Sequence, residues 1–200
     1  MNMCPSLDAS PEAASRGNSG VAVYLHIPFC LARCGYCSFF SRPFSRSALE
    51  SYLGYLRREI GFWQRREPSS KQARTLYFGG GTPSLLSAGQ INTLCEEFEL
   101  TPDPEVTLEV NPIQITDTYL RNLRETPVNR LSIGLQSMND KDLAWLGRRH
   151  RAARIPDLIR LCRDHGFAIL YLAMGPDHIS AYLLTPDPDT PLGREIGRAS

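Results

Sequence analysis

From Val21 to Phe167 the sequence alternates short apolar stretches with amphipathic ones. That alternation limits the fold more than any other feature. VAVYLHI (21–27), TLYFGGG (75–81), EVTLEVNP (105–112) and RLSIGLQS (130–137) read as strands. SALESYLGYLRREIGFWQRR (47–66) places Leu49, Leu53, Leu56 and Ile60 on one helical face. Residues 87–100, 116–127, 139–150 and 153–167 read as further helices. Ser87 suits an N-cap, and the acidic residues opening 139–150 suit the helix dipole. Strands that look buried on both faces, each followed by a helix, argue for parallel βα units and an α/β fold.

The C-terminal part breaks the rhythm. AILYLAM (168–174) and HISAYLLT (178–185) both look strand-like, with only Gly175, Pro176 and Asp177 between them. Neighbouring parallel strands need a crossover of about a dozen residues or more, so either the two are antiparallel or one is not a strand. Residues 186–200 read as loop and tail. Residues 1–20, rich in Ser, Ala, Pro and Gly, read as a disordered leader.

Bulk composition excludes more than it suggests. Of 200 residues, 42% are hydrophobic and 22% charged, which is ordinary for a globular domain. With a net charge of +1, bulk charge gives no sign of a polyanion partner, and no nucleic acid partner is expected. No apolar run approaches the roughly 18 to 20 residues of a membrane span. The first 20 residues lack the apolar centre of a secretory signal. The expected compartment is therefore the reducing cytosol, where clustered cysteines are metal ligands or redox groups more often than disulfides.

In open α/β sheets and α/β barrels, function collects at the C-terminal ends of the strands. The unusual residues of this chain fall there. Strand one is followed by Cys30, Cys34 and Cys37, three of the six cysteines within eight residues. Thiolates are soft ligands for zinc or iron–sulfur clusters. A structural zinc site needs four ligands, and Cys4, Cys95 and Cys162 are isolated. His26 could complete the set or could simply pack beside the strand. A [4Fe–4S] cluster on three cysteines leaves one iron open to a small molecule. Strand two ends in Gly79-Gly80-Gly81-Thr82, where a backbone could approach a ligand or merely turn tightly. Glu109 and Gln136 end the next two strands, and Arg148 lies on the helix that follows. Each has an ordinary structural reading alone; at successive strand ends they outline a site.

The CxxxCxxC spacing, with YLHIPFCLARCGYCSF, YFGGGTPSLL, VTLEVNP and NRLSIGLQSMNDKDLAWLGRRH in order, resembles the radical S-adenosylmethionine (SAM) superfamily. The resemblance is to its coproporphyrinogen III oxidase-like branch, and most to the HemW-type heme chaperones, over about residues 23–195. It implies a partial (β/α) radical SAM barrel of about five strands over residues 21–185. It implies a [4Fe–4S] cluster on Cys30, Cys34 and Cys37, with SAM chelating the open iron. Tyr24 and Tyr36 would line the SAM pocket, Gly80, Gly81 and Thr82 would meet its methionine end, and Glu109, Gln136 and Arg148 would complete the contacts. Reducing the cluster would cleave SAM to a 5′-deoxyadenosyl radical. Partners would be SAM, heme or porphyrin, and an apoprotein that accepts heme.

The oxidases of this branch carry a further cysteine two places after the third, where this chain has Phe39. That favours the chaperone over the coproporphyrinogen oxidase. A third reading is a metal- or heme-binding remnant without SAM chemistry, and a zinc protein is a fourth. The resemblance also departs from its pattern near residues 168–172. There a strand ending in Asp, a Gly-Leu-Pro loop and a long helix are expected, so an internal deletion that removes an aspartate contact to SAM is inferred. The family's C-terminal domain is expected to be absent. His150, His165 and His178 are candidate heme ligands, the first two also readable as helix C-terminal dipole contacts. Cys95 and Cys162 read as buried within helices.

Overall fold

The structure, a computed structural model, describes residues 20–170. The expected leader, tail, paired strand-like segments beyond Leu170, Cys4 and His178 lie outside the described residues. Among the described residues there are seven strands, β1 (Val21–Ile27), β2 (Phe29–Cys30), β3 (Arg42–Pro43), β4 (Gln72–Gly80), β5 (Glu99–Val110), β6 (Arg130–Ile133) and β7 (Ala168–Leu170), and five α-helices. The helices are α1 (Arg46–Arg66), α2 (Ala88–Cys95), α3 (Asp117–Leu123), α4 (Asp140–Trp145) and α5 (Ile155–Asp164). Five strands form one parallel sheet in the order β1-β4-β5-β6-β7. The α/β expectation holds, and every strand end points the same way.

The interior strands are apolar where they are covered on both faces. Leu76, Phe78, Val106, Leu108 and Leu131 are fully buried. α1 adds Leu49, Leu56 and Ile60 to the same core. Ser45 caps α1, and Ser87 with Gln90 closes a reciprocal capping box on α2.

Several element ends differ from the sequence expectation, each for a local reason. α2 stops at Cys95 rather than near 100, because Phe98 and Leu100 join the sheet side of the core. Pro102 and Pro104 then sit where the β4–β5 register shifts, between the pairs Ala73↔Leu100 and Thr75↔Glu105. A proline costs no ladder bond in such a bulge. β6 ends at Ile133, not Ser137, and Gln136 takes a left-handed φ of 70°. α4 ends at Trp145 rather than His150. Gly147 has φ 68° and donates to Ala144 O, and Arg148 N–H donates to Leu143 O at 2.7 Å. This is a Schellman ending, which reverses the chain. Arg148 is therefore not on a helix but on a loop turned back toward the strand ends. α5 ends the same way at Gly166, with Phe167 N–H on Cys162 O.

Candidate functional site

The cysteine loop is pinned at its base. β2 and β3 pair over two residues, with Arg42 N–H on Pro28 O and Phe44 N–H on Cys30 O. Within the loop, Cys37 N–H donates to Cys34 O and Arg33 donates to Cys37 O at 3.2 Å. His26 holds the far side: its Nε2–H donates to Phe40 O at 3.1 Å, which leaves Nδ1 to accept from the Tyr24 hydroxyl at 3.4 Å. Tyr52 in turn donates to His26 O at 2.6 Å. His26 thus positions the loop rather than joining the thiols.

Cys30, Cys34 and Cys37 are free and half-buried. Burial pushes the Cys37 thiol up, offset in part by the backbone N–H of Phe39. Thr82 Oγ1 donates to Cys30 Sγ at 3.5 Å, and Arg148 Nη1 donates to Cys34 Sγ at 3.7 Å. Tyr36 also bonds Cys34, and burial raises its phenol to about 12 against the pull of Arg148. Among the described residues no three His, Cys, Asp or Glu side chains converge as a single-ion site. Three soft thiols with donors aimed at two of them suit a larger metal centre.

Gly79 and Gly80 at the end of β4, and Gly81 just after it, serve a purpose the sequence did not reveal. A Cβ on Gly79 would stand 2.6 Å from the Tyr24 ring, and one on Gly80 would stand 2.7 Å from the His26 ring. One on Gly81 would stand 2.7 Å from Phe29 O. Gly80 N–H donates to Glu109 Oε2 and Gly81 N–H to Ile27 O. These amides are thus engaged within the protein, and close approach here is of one strand to another. Glu109 also accepts from Tyr77 O–H at 2.9 Å. Its burial raises the carboxyl above its usual range, with those two bonds and His26 opposing. Tyr24 stacks on Tyr77 at 5.8 Å.

A second group surrounds Gln136. Arg148 Nη2 donates to Gly134 O at 2.7 Å, and the missing Cβ of Gly134 leaves room for both the Gln136 amide and the guanidinium. His150 is not a helix-terminal residue, because α4 has already ended; its Nε2–H donates to Leu135 O at 3.0 Å. Its Nδ1 is buried without a partner, and burial lowers its pKa. His165 does sit at the C-cap of α5, and binds Asp117 at 2.9 Å. Cys95 and Cys162 are buried, their thiols pushed up to about 12.

A cavity of about 100 Å³ joins the cysteine loop to the ends of β4, β5 and α4. Cys34, Thr82 and Arg148 line it, with Asn111, Gln114 and Ile113 opposite. Tyr24, Tyr36, Gly80, Gly81, Glu109 and Gln136 stand outside its wall; Tyr24, Gly80 and Glu109 form the bonded group just described. Sequence reasoning missed Ser84 and Gln114, whose side chains bond at 2.5 Å and tie the turn after β4 to the turn after β5. Alternation in β1 puts Tyr24 and His26 on one face and was the available signal for their pairing.

Residues 24–181 match the Radical SAM superfamily. The chain is 31% identical to the heme chaperone HemW of Mycobacterium tuberculosis over 219 aligned positions, covering 94% of this chain and 55% of the relative. It is 30% identical to HemW of Escherichia coli, covering 86% and 53%. It is similar to the solved coproporphyrinogen III oxidase (HemN) of Escherichia coli, a radical SAM enzyme, with TM-score 0.65, 30% identity and coverage of 76% and 36%. The chain spans about half the length of the HemW relatives it matches. The alignment with the mycobacterial relative is longer than this chain's 200 residues, so that relative carries residues this chain lacks within the matched stretch.

Proposed function

Because the chain belongs to the radical SAM superfamily, with five parallel strands as a partial barrel, we propose that it is a HemW-type heme chaperone. In this reading residues 21–185 are the radical SAM core. Cys30, Cys34 and Cys37 hold a [4Fe–4S] cluster, SAM chelates its open iron, and heme is carried to an accepting apoprotein. The observation that carries it is the cysteine loop itself. Three free thiols on a loop pinned by β2, β3 and His26 receive donors from the turn after β4 and the loop after α4. A cluster of several irons draws on thiolates more widely spread than one ion can. The cytosol, which keeps such thiols reduced, is the matching compartment.

The bound cluster would supply one electron for reductive cleavage of SAM. The chain's own residues bind and orient. Arg148, free of α4 and fixed on Gly134 O, presents a cation at the cavity wall, where it can meet a carboxylate. Glu109, anchored by Tyr77 and Gly80, keeps lone pairs for an ammonium group. Tyr24, exposed and stacked on Tyr77, offers a flat apolar face to a ring. Gln136, in its left-handed conformation, and Tyr36, beside Cys34, complete the surround. The deletion relative to the family falls near residues 168–172 in this reading and removes one SAM contact.

Anaerobic reconstitution followed by electron paramagnetic resonance (EPR) tests the assignment. Iron and sulfide should enter the wild type, SAM should perturb the reduced signal weakly, and Cys30→Ala should lose the full cluster. A Cys30→Ala protein that keeps the whole cluster overturns the ligand set. The second reading, a coproporphyrinogen oxidase, draws on the likeness to HemN. Phe39 at the place of that branch's further cysteine opposes it. Heme binding without coproporphyrinogen turnover supports the chaperone; turnover supports the oxidase.

A further inference from the structure

Thr82 reaches the cysteine loop from the turn after β4 and Arg148 from the loop after α4, and each aims a donor at a sulfur. Thr82 Oγ1–H lies 3.5 Å from Cys30 Sγ, and Arg148 Nη1–H lies 3.7 Å from Cys34 Sγ. Both contacts are partly buried and join residues far apart in sequence. Both donors are held by structure of their own. Thr82 follows Gly81, whose hydrogen packs against the Phe29 backbone and whose N–H is bonded to Ile27 O. Arg148 is released from α4 by the Gly147 turn and tied through Nη2 to Gly134 O. Cys37 is served by a backbone donor, the Phe39 N–H, instead.

We infer that Thr82 and Arg148 set the reduction potential of the metal centre through these two sulfurs. The inference rests on the reading that the three cysteines hold a [4Fe–4S] cluster. A hydrogen bond to a thiolate sulfur withdraws electron density from it and stabilises the electron-richer state. Arg148 adds a full positive charge in a partly buried position, where screening is weaker than in water. Both effects raise the potential, so the cluster accepts an electron more readily. The step is a one-electron transfer from an external reductant to the oxidised cluster, with no bond made or broken in the protein. The two residues act through the ligands and are positioning residues in this role, whether or not they also touch SAM.

The test uses SAM-free protein, so that effects on cofactor binding do not enter. Wild type, Thr82→Val, Thr82→Ser and Arg148→Met are reconstituted anaerobically, assayed for iron and sulfide, and titrated with dithionite while the reduced EPR signal is followed. Thr82→Val and Arg148→Met should load normally. Their reduced-to-oxidised ratio at the wild-type midpoint should fall by up to about tenfold, equivalent to about 59 mV for one electron. Thr82→Ser keeps the hydroxyl and should stay near the wild-type midpoint. Equal midpoints in all four proteins overturn the inference, as does a Ser variant shifted as far as the Val variant. A Val or Met variant that loads no cluster also overturns it, since that residue is then a scaffold of the loop. If the wild type itself loads none, the cluster reading fails first, and that outcome is distinct from unchanged potentials in loaded proteins.

Discussion

Gly79, Gly80 and Gly81 look interchangeable in the sequence and are not. Gly79 faces the far end of the exposed Tyr24 side chain, which yields more easily than the Phe29 backbone that Gly81 faces. Gly80 adds a φ of 113°, a region essentially reserved for glycine. Gly80→Ala and Gly81→Ala should each cost about 1 to 3 kcal/mol, and Gly79→Ala less than about 1, in chemical denaturation. Equal costs at all three positions would contradict this account. The cysteines were legible from spacing alone. The fit of Tyr24 and His26 over the glycines was not, because it depends on the register of β1 against β4. The glycines were expected to admit a ligand or to turn tightly; in the structure they also admit the side chains of β1 and the backbone of Phe29.

At the scale of elements, strand and helix identity was legible from periodicity, and helix ends were not. The apolar residues at 98 and 100 continue a helical pattern, but they serve the sheet. Arg148 was placed on a helix because nothing before Gly147 breaks the pattern; the left-handed turn is decided by the glycine. Two glycine substitutions should therefore act in opposite directions. Gly147→Ala, at φ 68°, should destabilise by about 1 kcal/mol. Gly54→Ala, in mid-α1 with open space around it, should stabilise by about 0.5 to 1 kcal/mol in thermal melts. The loop after β6 should also respond to pH through His150. Its folded pKa lies below the ordinary value, so the unfolded chain binds more protons. Its contribution is complete above about pH 6.5 and shrinks as pH falls through that value toward the folded pKa. His150→Gln should flatten the dependence of stability on pH in that window; an unchanged slope would exclude His150 as its source.

At the scale of the whole molecule, β1 and β7 are the outer strands of the sheet among the described residues, and the site lies across one end of it. The α/β class, the parallel strands and the clustering of unusual residues at their C-terminal ends were all predicted from the βα rhythm. The tail was predicted too, but it lies beyond the described residues. No helix among the described residues is long and apolar enough to cross a membrane. The cysteine loop carries few bonds of its own between its pinned base and Phe40. A ligand bound only by the folded state stabilises that state. Cluster loading should therefore raise the melting temperature and slow tryptic cleavage after Arg33, and oxidative removal of the iron should reverse both. Cleavage at Arg33 that ignores loading would show that the loop is not where the metal sits.

The rings seated on the glycines also act as a ruler for the parallel pairing of β1 with β4. Tyr24 pairs with Tyr77 and His26 with Gly79 in the observed register, and their rings lie over Gly79 and Gly80. A slip of one residue turns the apolar face of β1 outward. The smallest slip that keeps it inward is two residues, and that sets His26 over Phe78 in one direction and over Thr82 in the other. Neither position leaves the space that a glycine does. A mispaired sheet is penalised at the same few residues that support the cysteine loop, so a chain able to seat its metal centre is one whose first two sheet strands have already found their correct alignment.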